Sequence, residues 1–553
     1  MKRSQFFNEN YKVLYVLISL VYGFGLVLPL LENDAAQHAT MAMRMYLEND
    51  YWNLYRGTDA YLDKPHLHFW LSAFAFKLFG VNHVAYRIPS LLFTMVGALS
   101  VYRLGYHWYQ RKTGHIAALV FLTSQAIFLG NHDVRTDAIL VGGVAFGIWK
   151  AILYLDNGRW KDSTLGAFGI AVGFMAKGPL AVVIALICLG VYVIHKKKYR
   201  QLFSYKLLVG ISMFFLFISP VLYAYYVQFD LHPEIVVNGV NKISGVRFIL
   251  WDQIFNRHLG AGFTRINTDF TFFFHTLLWA FLPWSILFYV ALGNKFREWI
   301  KNKETQHTEI VTSLGVLLVL IAMSFSKSKL PHYLNALFPL MSILVAAYLT
   351  SLHQISIKKI WYRWQFGMVL VVLVALTSLV FWSFPQVDIW KIVSILLLAC
   401  LVALVTFYSE NLVSKIVVVS VGAAIVINAI LNLQFYPNLA KYQGGYAASE
   451  YLNEQKISTN DVLRLDKKYN WPLDFYTQEI VNSVSMAELK NSSFHGNWLF
   501  FYDSELDVLK DQGVAWEQLK SFDHYRVTRL KWSFLHPKKR HKTLGKIYLV
   551  KLK

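Results

Sequence analysis

The sequence predicts a polytopic α-helical membrane protein that ends in a small soluble α/β domain. Three observations lead there. Apolar runs of about 20 residues, the length that crosses a bilayer, recur between residues 11 and 435. The chain is 56% hydrophobic over 553 residues, with mean hydropathy +0.38, and a soluble chain does not repeat such runs. Beyond residue 435 the sequence turns more charged, and its apolar segments shorten.

Thirteen spans are expected, at roughly 11–32, 88–106, 115–131, 137–155, 163–176, 178–195, 207–227, 270–292, 310–325, 332–351, 365–384, 389–408 and 415–435. The first follows Lys2 and Arg3. It is too long for a signal-peptide core and no small-residue cleavage site follows, so it reads as an uncleaved helix. The pair 163–176 and 178–195 is separated by Lys177-Gly178-Pro179. Glycine and proline end helices, and a lysine at that depth needs water or a partner.

Loop charge sets an expected orientation. Arg111-Lys112, Lys196-Lys197-Lys198, the group Lys295, Arg297, Lys301 and Lys303, and Lys358-Lys359 all fall on one side, the inner one by the positive-inside rule. This puts the N-terminus inside and segments 33–87, 132–136, 228–269, 326–331 and 436–553 outside. The same distribution explains the net charge of +21 as a topology signal and argues against nucleic acid as a partner. Cys188 and Cys400 both lie in expected spans and give neither a disulfide framework nor metal-ligand spacing.

The membrane part is expected to cover 1–435. Its first long outer segment, 33–87, holds Met41–Leu47 and Phe69–Phe79, which are apolar on one face, too short to span, and expected to lie along the interface. A second long outer segment is 228–269. In the tail, 436–553, Trp498–Tyr502 and Lys546–Lys551 read as strands, and Ala447–Asn453 and Met486–Lys490 as helical. Arg526–Lys553 contains ten Lys/Arg and no acid. It is either a solvated basic face or a surface drawn to anionic headgroups, where each basic residue contributes about 1 kcal/mol.

Ionisable residues at a membrane edge are costly without a purpose. On the expected outer face they gather as Asp34 with His38; Asp63-Lys64; His132-Asp133, Arg135 and Asp137; Lys177; and Lys327 through Tyr333. Arg257-His258 adds another pair. Carboxylates and cations on one face suit a phosphate leaving group and an acceptor that needs a base. Each residue also has a plain reading. Asp34 can cap the helix that follows it. Lys64 can be a surface lysine. Arg135, Lys177 and Lys329 can sit in structural ion pairs with Asp133, Asp137 or a helix end, and His332 can bond backbone beside Pro331.

The ordered pattern Asp34, Asp63-Lys64-Pro65, Arg135-Thr136-Asp137, Lys177-Gly178 and Lys329-Leu330-Pro331-His332-Tyr333 resembles the bacterial aminoarabinose transferase and protein O-mannosyltransferase superfamily, GT-C glycosyltransferases with polyprenyl-phosphate-sugar donors. Tyr61 through Trp70 is most similar to the aminoarabinose-transferase version. The resemblance implies transfer of a sugar from that lipid donor to an envelope lipid, glycan or protein outside a bacterial inner membrane, with inversion at the anomeric carbon. It implies Asp34 as base or positioning group. Lys64, Arg135, Lys177, Lys329 and His332 become donor-phosphate ligands, and His38, Asp63, Asp137 and Tyr333 line the acceptor site. Asp63 and His258 match positions where such enzymes can hold a divalent ion; no other cofactor is implied. Beyond donor and acceptor, the partners are membrane lipids.

The sequence departs from the superfamily at Ala35, where an acid is usual, and at His38, where an aromatic is usual. Asp63 replaces a glutamate, and His332 replaces a threonine. These positions surround the expected site and bear on the acceptor more than on the reaction. The rival readings are a transporter or flippase of a polyprenyl-linked sugar and a ligase acting on O-antigen. Transporters often carry internal repeats, and the unequal outer loops show none.

Overall fold

The structure is a computed structural model and describes residues 3–237, 239–253, 267–301, 309–409, 411–466, 468–490 and 494–553. The first helices are α1 (Arg3–Leu26), α2 (Asp34–Glu48), α3 (Leu67–Phe79), α4 (His83–Trp108), α5 (Arg111–Leu122), α6 (Gln125–His132), α7 (Asp137–Asn157), α8 (Trp160–Lys177) and α9 (Leu180–Lys196). A short antiparallel pair, β1 (Tyr55–Arg56) with β2 (Asp59–Ala60), lies between α2 and α3.

This is a multi-pass membrane fold. Among the described residues seven helices are long and apolar enough to span: α4, α7, Tyr205–Asp230, Pro331–Ser351, Ile355–Ser383, Ile389–Phe407 and Leu412–Ala440. Helices α5 and α6, bent by 53° at their junction, make an eighth if taken as one span. The other five of the thirteen expected segments are helical but fail that test. The helix expected over 11–32 stops at Leu26, α9 is 17 residues long, and 270–292 breaks between Ala280 and Ser285. The apolar helix in 310–325 is short, and α8 is a glycine-rich helix packed inside the bundle. An apolar run marks burial away from water; it does not say whether one helix or two broken ones fill it.

Uniform apolarity also hides which helices form the core. Of the stretches that cross, α7, Pro331–Ser351 and Leu412–Ala440 are mostly buried, whereas Tyr205–Asp230, Ile355–Ser383 and Ile389–Phe407 are mostly exposed on the bundle's surface. The closest packing joins α7 and α8. A Cβ added at Gly169 would lie 2.5 Å from the Gly147 nitrogen, and one at Gly143 would lie 2.8 Å from the Gly173 nitrogen. Small residues on both helices let the backbones touch, the way helices associate where lipid gives no hydrophobic drive. The pair brings the first residue of α7, Asp137, beside the last of α8, Lys177.

Between Leu26 and Asp34 the chain leaves helical geometry, so its backbone groups need other partners. Arg87, fully buried in the first turns of α4, donates to the carbonyls of Leu26, Leu28 and Pro29. The tail supplies more. The Leu30 amide donates to the Tyr476 hydroxyl at 2.7 Å, and Gln443 bonds the Glu32 amide and the Leu30 carbonyl.

The tail carries a five-stranded sheet of order β4-β3-β5-β7-β6, from β3 (Val462–Leu465), β4 (Asn482–Val484), β5 (Trp498–Tyr502), β6 (Trp516–His524) and β7 (Gly545–Leu552). Strand β3 runs parallel to β4 and β5, and β7 pairs antiparallel with β5 and β6. Both expected strands are present, and Gly444–Glu454 contains the expected helix. Of Met486–Lys490 only the turn Glu488–Lys490 is helical. Helix Trp471–Tyr476 packs Trp471 and Phe475 onto α2 and α3, in one apolar cluster with Met43, Phe69, Phe76 and Tyr86. The two amphipathic helices of 33–87 therefore bury apolar surface under the tail as well as on the membrane part.

Candidate active site

Asp34 is the first residue of α2. The cap position belongs to Asn33, and no side-chain cap bond forms, so the Asp34 carboxylate does not serve as the cap. Its Oδ2 instead lies 2.9 Å from Arg135 Nη1, while Arg135 Nη2 lies 2.7 Å from Asp133 Oδ2. One planar guanidinium thus bridges two carboxylates, which its fork of donors allows. Burial works against the Arg135 charge, but Asp133, Asp34 and Asp137 outweigh it and hold its pKa above the ordinary value. Burial also raises Asp133 despite Arg135. The Asp34 side chain remains 48% exposed, and its Oδ1 makes no hydrogen bond among the described residues.

Two further ion pairs stand nearby. Lys64 bonds Asp63 at 2.7 Å. Lys177 donates to Asp137 in a pair that is almost fully buried, with the Lys177 ammonium 4.8 Å from the centre of the Tyr333 ring. Tyr333 stands beside His332, which feels the charges of Asp137, Lys177, Arg135 and Lys64 together. His38, one turn after Asp34 on the same helix face, feels Lys64, Arg135, Asp63 and Asp137, and burial and the two cations push its pKa down to about 3. It is a neutral ring packed against Tyr61, His68 and Phe69. Residues 34, 38, 63, 64, 135, 137, 177, 332 and 333, spread over some 300 positions, thus share one electrostatic neighbourhood.

Lys329 is held by backbone rather than by an acid. Its ammonium donates to the backbone carbonyls of Asn267, at 3.1 Å, and Asp269, at 2.7 Å. It fastens the loop before Phe272 to the segment before Pro331. His258 lies outside the described residues, and with it one half of the candidate metal pair. Asp63, the other half, bonds Lys64. Among the described residues no three His, Cys, Asp or Glu side chains gather as metal ligands.

Asp133, expected as an ion-pair partner of Arg135, shares it with Asp34. Other residues at the site are not evident from the sequence. Arg87 Nε donates to the His132 carbonyl at 3.1 Å, and Tyr86 donates to the Val134 carbonyl at 3.1 Å, so α4 holds the loop that carries Arg135. Gln253 donates to the Asp63 carbonyl at 3.0 Å and packs on Gly178, whose φ of +70° and lack of a Cβ leave room for the amide. Only Arg87 left a trace in sequence, as a lone cation at the edge of an expected span.

The arrangement offers a half-exposed carboxylate beside a layer of cations, each already matched to an acid. Such a layer can receive an anion by exchanging carboxylate partners for phosphate oxygens, while Asp34 faces whatever enters from solvent.

Residues 63–224 match the family model described as dolichyl-phosphate-mannose-protein mannosyltransferase. The undecaprenyl phosphate-α-4-amino-4-deoxy-L-arabinose arabinosyl transferase of Erwinia tasmaniensis is 26% identical over 343 residues, 60% of this chain and 58% of that protein. A namesake from Proteus mirabilis is 24% identical over 64% of this chain and 62% of its own. The matched stretch therefore spans about three fifths of these relatives' length. The crystal structure of ArnT from Cupriavidus metallidurans bound to undecaprenyl phosphate superimposes with a TM-score of 0.74 at 15% identity, over 97% of each chain. Its apo form gives 0.71. The fold along nearly the whole chain is therefore that of the ArnT structures, and residues 63–224 are similar in sequence to the mannosyltransferase family model.

Proposed function

We propose that the protein transfers a sugar from a polyprenyl-phosphate-linked donor to an acceptor in the cell envelope. The observation that carries this reading is the convergence of Asp34 with Arg135, Lys64 and Lys177 from distant segments. The names of its relatives, which specify undecaprenyl phosphate and aminoarabinose, favour the same donor class. In this reading residues 1–435 form the catalytic unit and 436–553 a soluble domain. The N-terminus is on the cytoplasmic side of the inner membrane, and Asp34 and the tail are on the periplasmic side. Loop charge supports that orientation.

The chemistry follows from the residues. An acceptor hydroxyl loses its proton to Asp34 Oδ1 as its oxygen attacks the anomeric carbon. The bond from that carbon to the phosphate oxygen breaks, the electron pair leaves with polyprenyl phosphate, and the centre inverts. Phosphate needs no acid to leave. Lys64, Arg135 and Lys177 stabilise the charge that grows on it, with His332 beside them. If the acceptor is itself a phosphate, such as one on lipid A, it needs little base, and Asp34 acts by orienting it. Asp63, Asp137, His38 and Tyr333 line the site, and Lys329 orders the loop beside it. No step is routed through a metal.

The test is Asp34→Asn in the full chain, read by mass spectrometry of envelope lipids and glycans from cells with and without each variant. General-base or positioning loss predicts a drop in transfer of about 10²-fold or more. Arg135 keeps Asp133, so the variant should fold. Near-normal transfer by a folded Asp34→Asn protein overturns the assignment. Lipid flipping in proteoliposomes without any sugar transfer would favour a flippase instead.

A further inference from the structure

The basic stretch near the C-terminus is fastened to the ends of the membrane helices. Phe534 and Val527 pack with Phe384, Leu439 and Leu31 in one apolar cluster. Phe384 directly follows the spanning helix Ile355–Ser383, and Leu439 closes the spanning stretch Leu412–Ala440. Arg540 donates to the Ser383 carbonyl at 2.6 Å, and its guanidinium stacks over Phe384, 4.3 Å from the ring centre. Trp532 stacks on Trp382 in the last turn of the same helix, with ring centres 5.3 Å apart and planes 22° apart. The height of this segment is therefore fixed: it lies where the helices leave the bilayer.

Its outward side is built as an interfacial surface. Leu530 and Trp532 are exposed, at 41% and 62%, as are Trp382 in the spanning helix and Trp390 in the next one. Tryptophan at the level of the headgroups is a recurrent membrane anchor. Interleaved with these rings are Lys531, Lys538, Lys539 and Lys542, all exposed. None of the four joins a salt bridge among the described residues, whereas Arg540 between them is spent on carbonyls and rings. The stretch from Arg526 to the C-terminus holds no acid that could neutralise them. Four unmatched ammonium groups and a tryptophan at the bilayer surface are complementary to lipid phosphate, and the lipid is present by construction.

We propose that Leu530–Lys542 binds the phosphates of anionic glycerophospholipids in the adjoining leaflet, with Trp382, Trp390 and Trp532 seated among the headgroups. The contact holds the sheet of the tail down on the membrane beside α2, whose first residue is Asp34. The inference rests on the membrane fold alone and is independent of the sugar-transfer reading.

The experiment uses the full chain reconstituted in nanodiscs of phosphatidylcholine and phosphatidylglycerol. The phosphatidylglycerol retained on stepwise delipidation is compared with phosphatidylcholine of the same acyl chains. The wild type should retain the anionic lipid in excess. Each lysine replaced by glutamine should weaken that retention about fivefold, since a basic residue at an anionic surface contributes about 1 kcal/mol. The variant with all four replaced should show no preference, and the preference should fall with added salt. A variant with four arginines keeps the charge and should keep the preference; this separates loss of charge from loss of fold. Equal retention of both lipids by the wild type overturns the proposal. So does an unchanged preference after all four lysines are replaced. If that quadruple variant keeps its phosphatidylglycerol and is impaired only toward a phosphorylated glycolipid acceptor, the surface serves the substrate and the proposal is wrong.

Discussion

Replacing Arg87 tests most directly whether the site is assembled by a buried clamp. The side chain is fully buried and makes four hydrogen bonds, all to backbone carbonyls. Those to Leu26, Leu28 and Pro29 secure the chain that leads to Asp34, and that to His132 secures the loop that carries Asp133 and Arg135. The Leu26 carbonyl ends α1 and has no helical partner. A guanidinium there also opposes the negative end of the helix dipole. Arg87→Met leaves four buried carbonyls short of a donor, at about 1–3 kcal/mol each, for an upper bound of about 12 kcal/mol. Removing a desolvated cation returns several kcal/mol, so the net loss is on the order of 3 kcal/mol. Arg87→Lys keeps the charge but not the fork, and should lose about half as much. The functional loss should exceed the stability loss, because a shift of about 1 Å between Asp34 and Arg135 costs on the order of 10²-fold in rate. Thermal unfolding in detergent at a fixed scan rate, paired with transfer in envelope preparations, reads both. If Arg87→Met unfolds and transfers like the wild type, the clamp does not set the site.

Two other perturbations probe separate parts of the same neighbourhood. Lys177→Met strands Asp137 in a buried place and should destabilise by about 3–5 kcal/mol, whereas Lys177→Met with Asp137→Leu should recover most of that; a double variant no more stable than the single one would show that the pair is not coupled. Glu32 is raised to about 7 by burial, with Arg526 opposing. The folded state holds this proton more tightly than an unfolded carboxyl near 4.5, so the stability it supplies is full below that value. It is lost as pH rises to about 7. The apparent unfolding temperature should fall between pH 5 and 7.5 and the slope should flatten in Glu32→Gln; equal slopes in both proteins would discard Glu32 as its source.

The membrane class and most helix positions were legible because each expected span is a long run without water-seeking side chains, and the bilayer demands such runs wherever the chain crosses. Residues 33–87 were legible as non-spanning for the same reason in reverse. Legible too were Asp34, Asp63-Lys64, Arg135, Asp137 and Lys177 as candidates, since charge at a membrane edge is too costly to be incidental. What apolarity could not register is where a helix stops inside an apolar run. Leu26 and Ala280 end helices while the surrounding sequence stays greasy, since the freed backbone groups are satisfied by residues far away, such as Arg87 and Tyr476.

Sequence by itself determined that this chain lives in a membrane, that its ionisable residues cluster in the segments expected on one side, and that a more charged unit with a basic end follows. Tertiary structure alone decided which charges meet. Asp34 faces Arg135 because α4 holds both of their loops; Asp137 faces Lys177 because glycines let α7 and α8 touch. Lys329, which the ordered motif groups with the phosphate ligands, donates to two carbonyls of a distant loop. The physical reason is range. Hydrophobicity acts on each residue through its own contact with solvent and is written locally, whereas an ion pair exists only between atoms a few ångströms apart, and that distance is set by the packing of every helix between them.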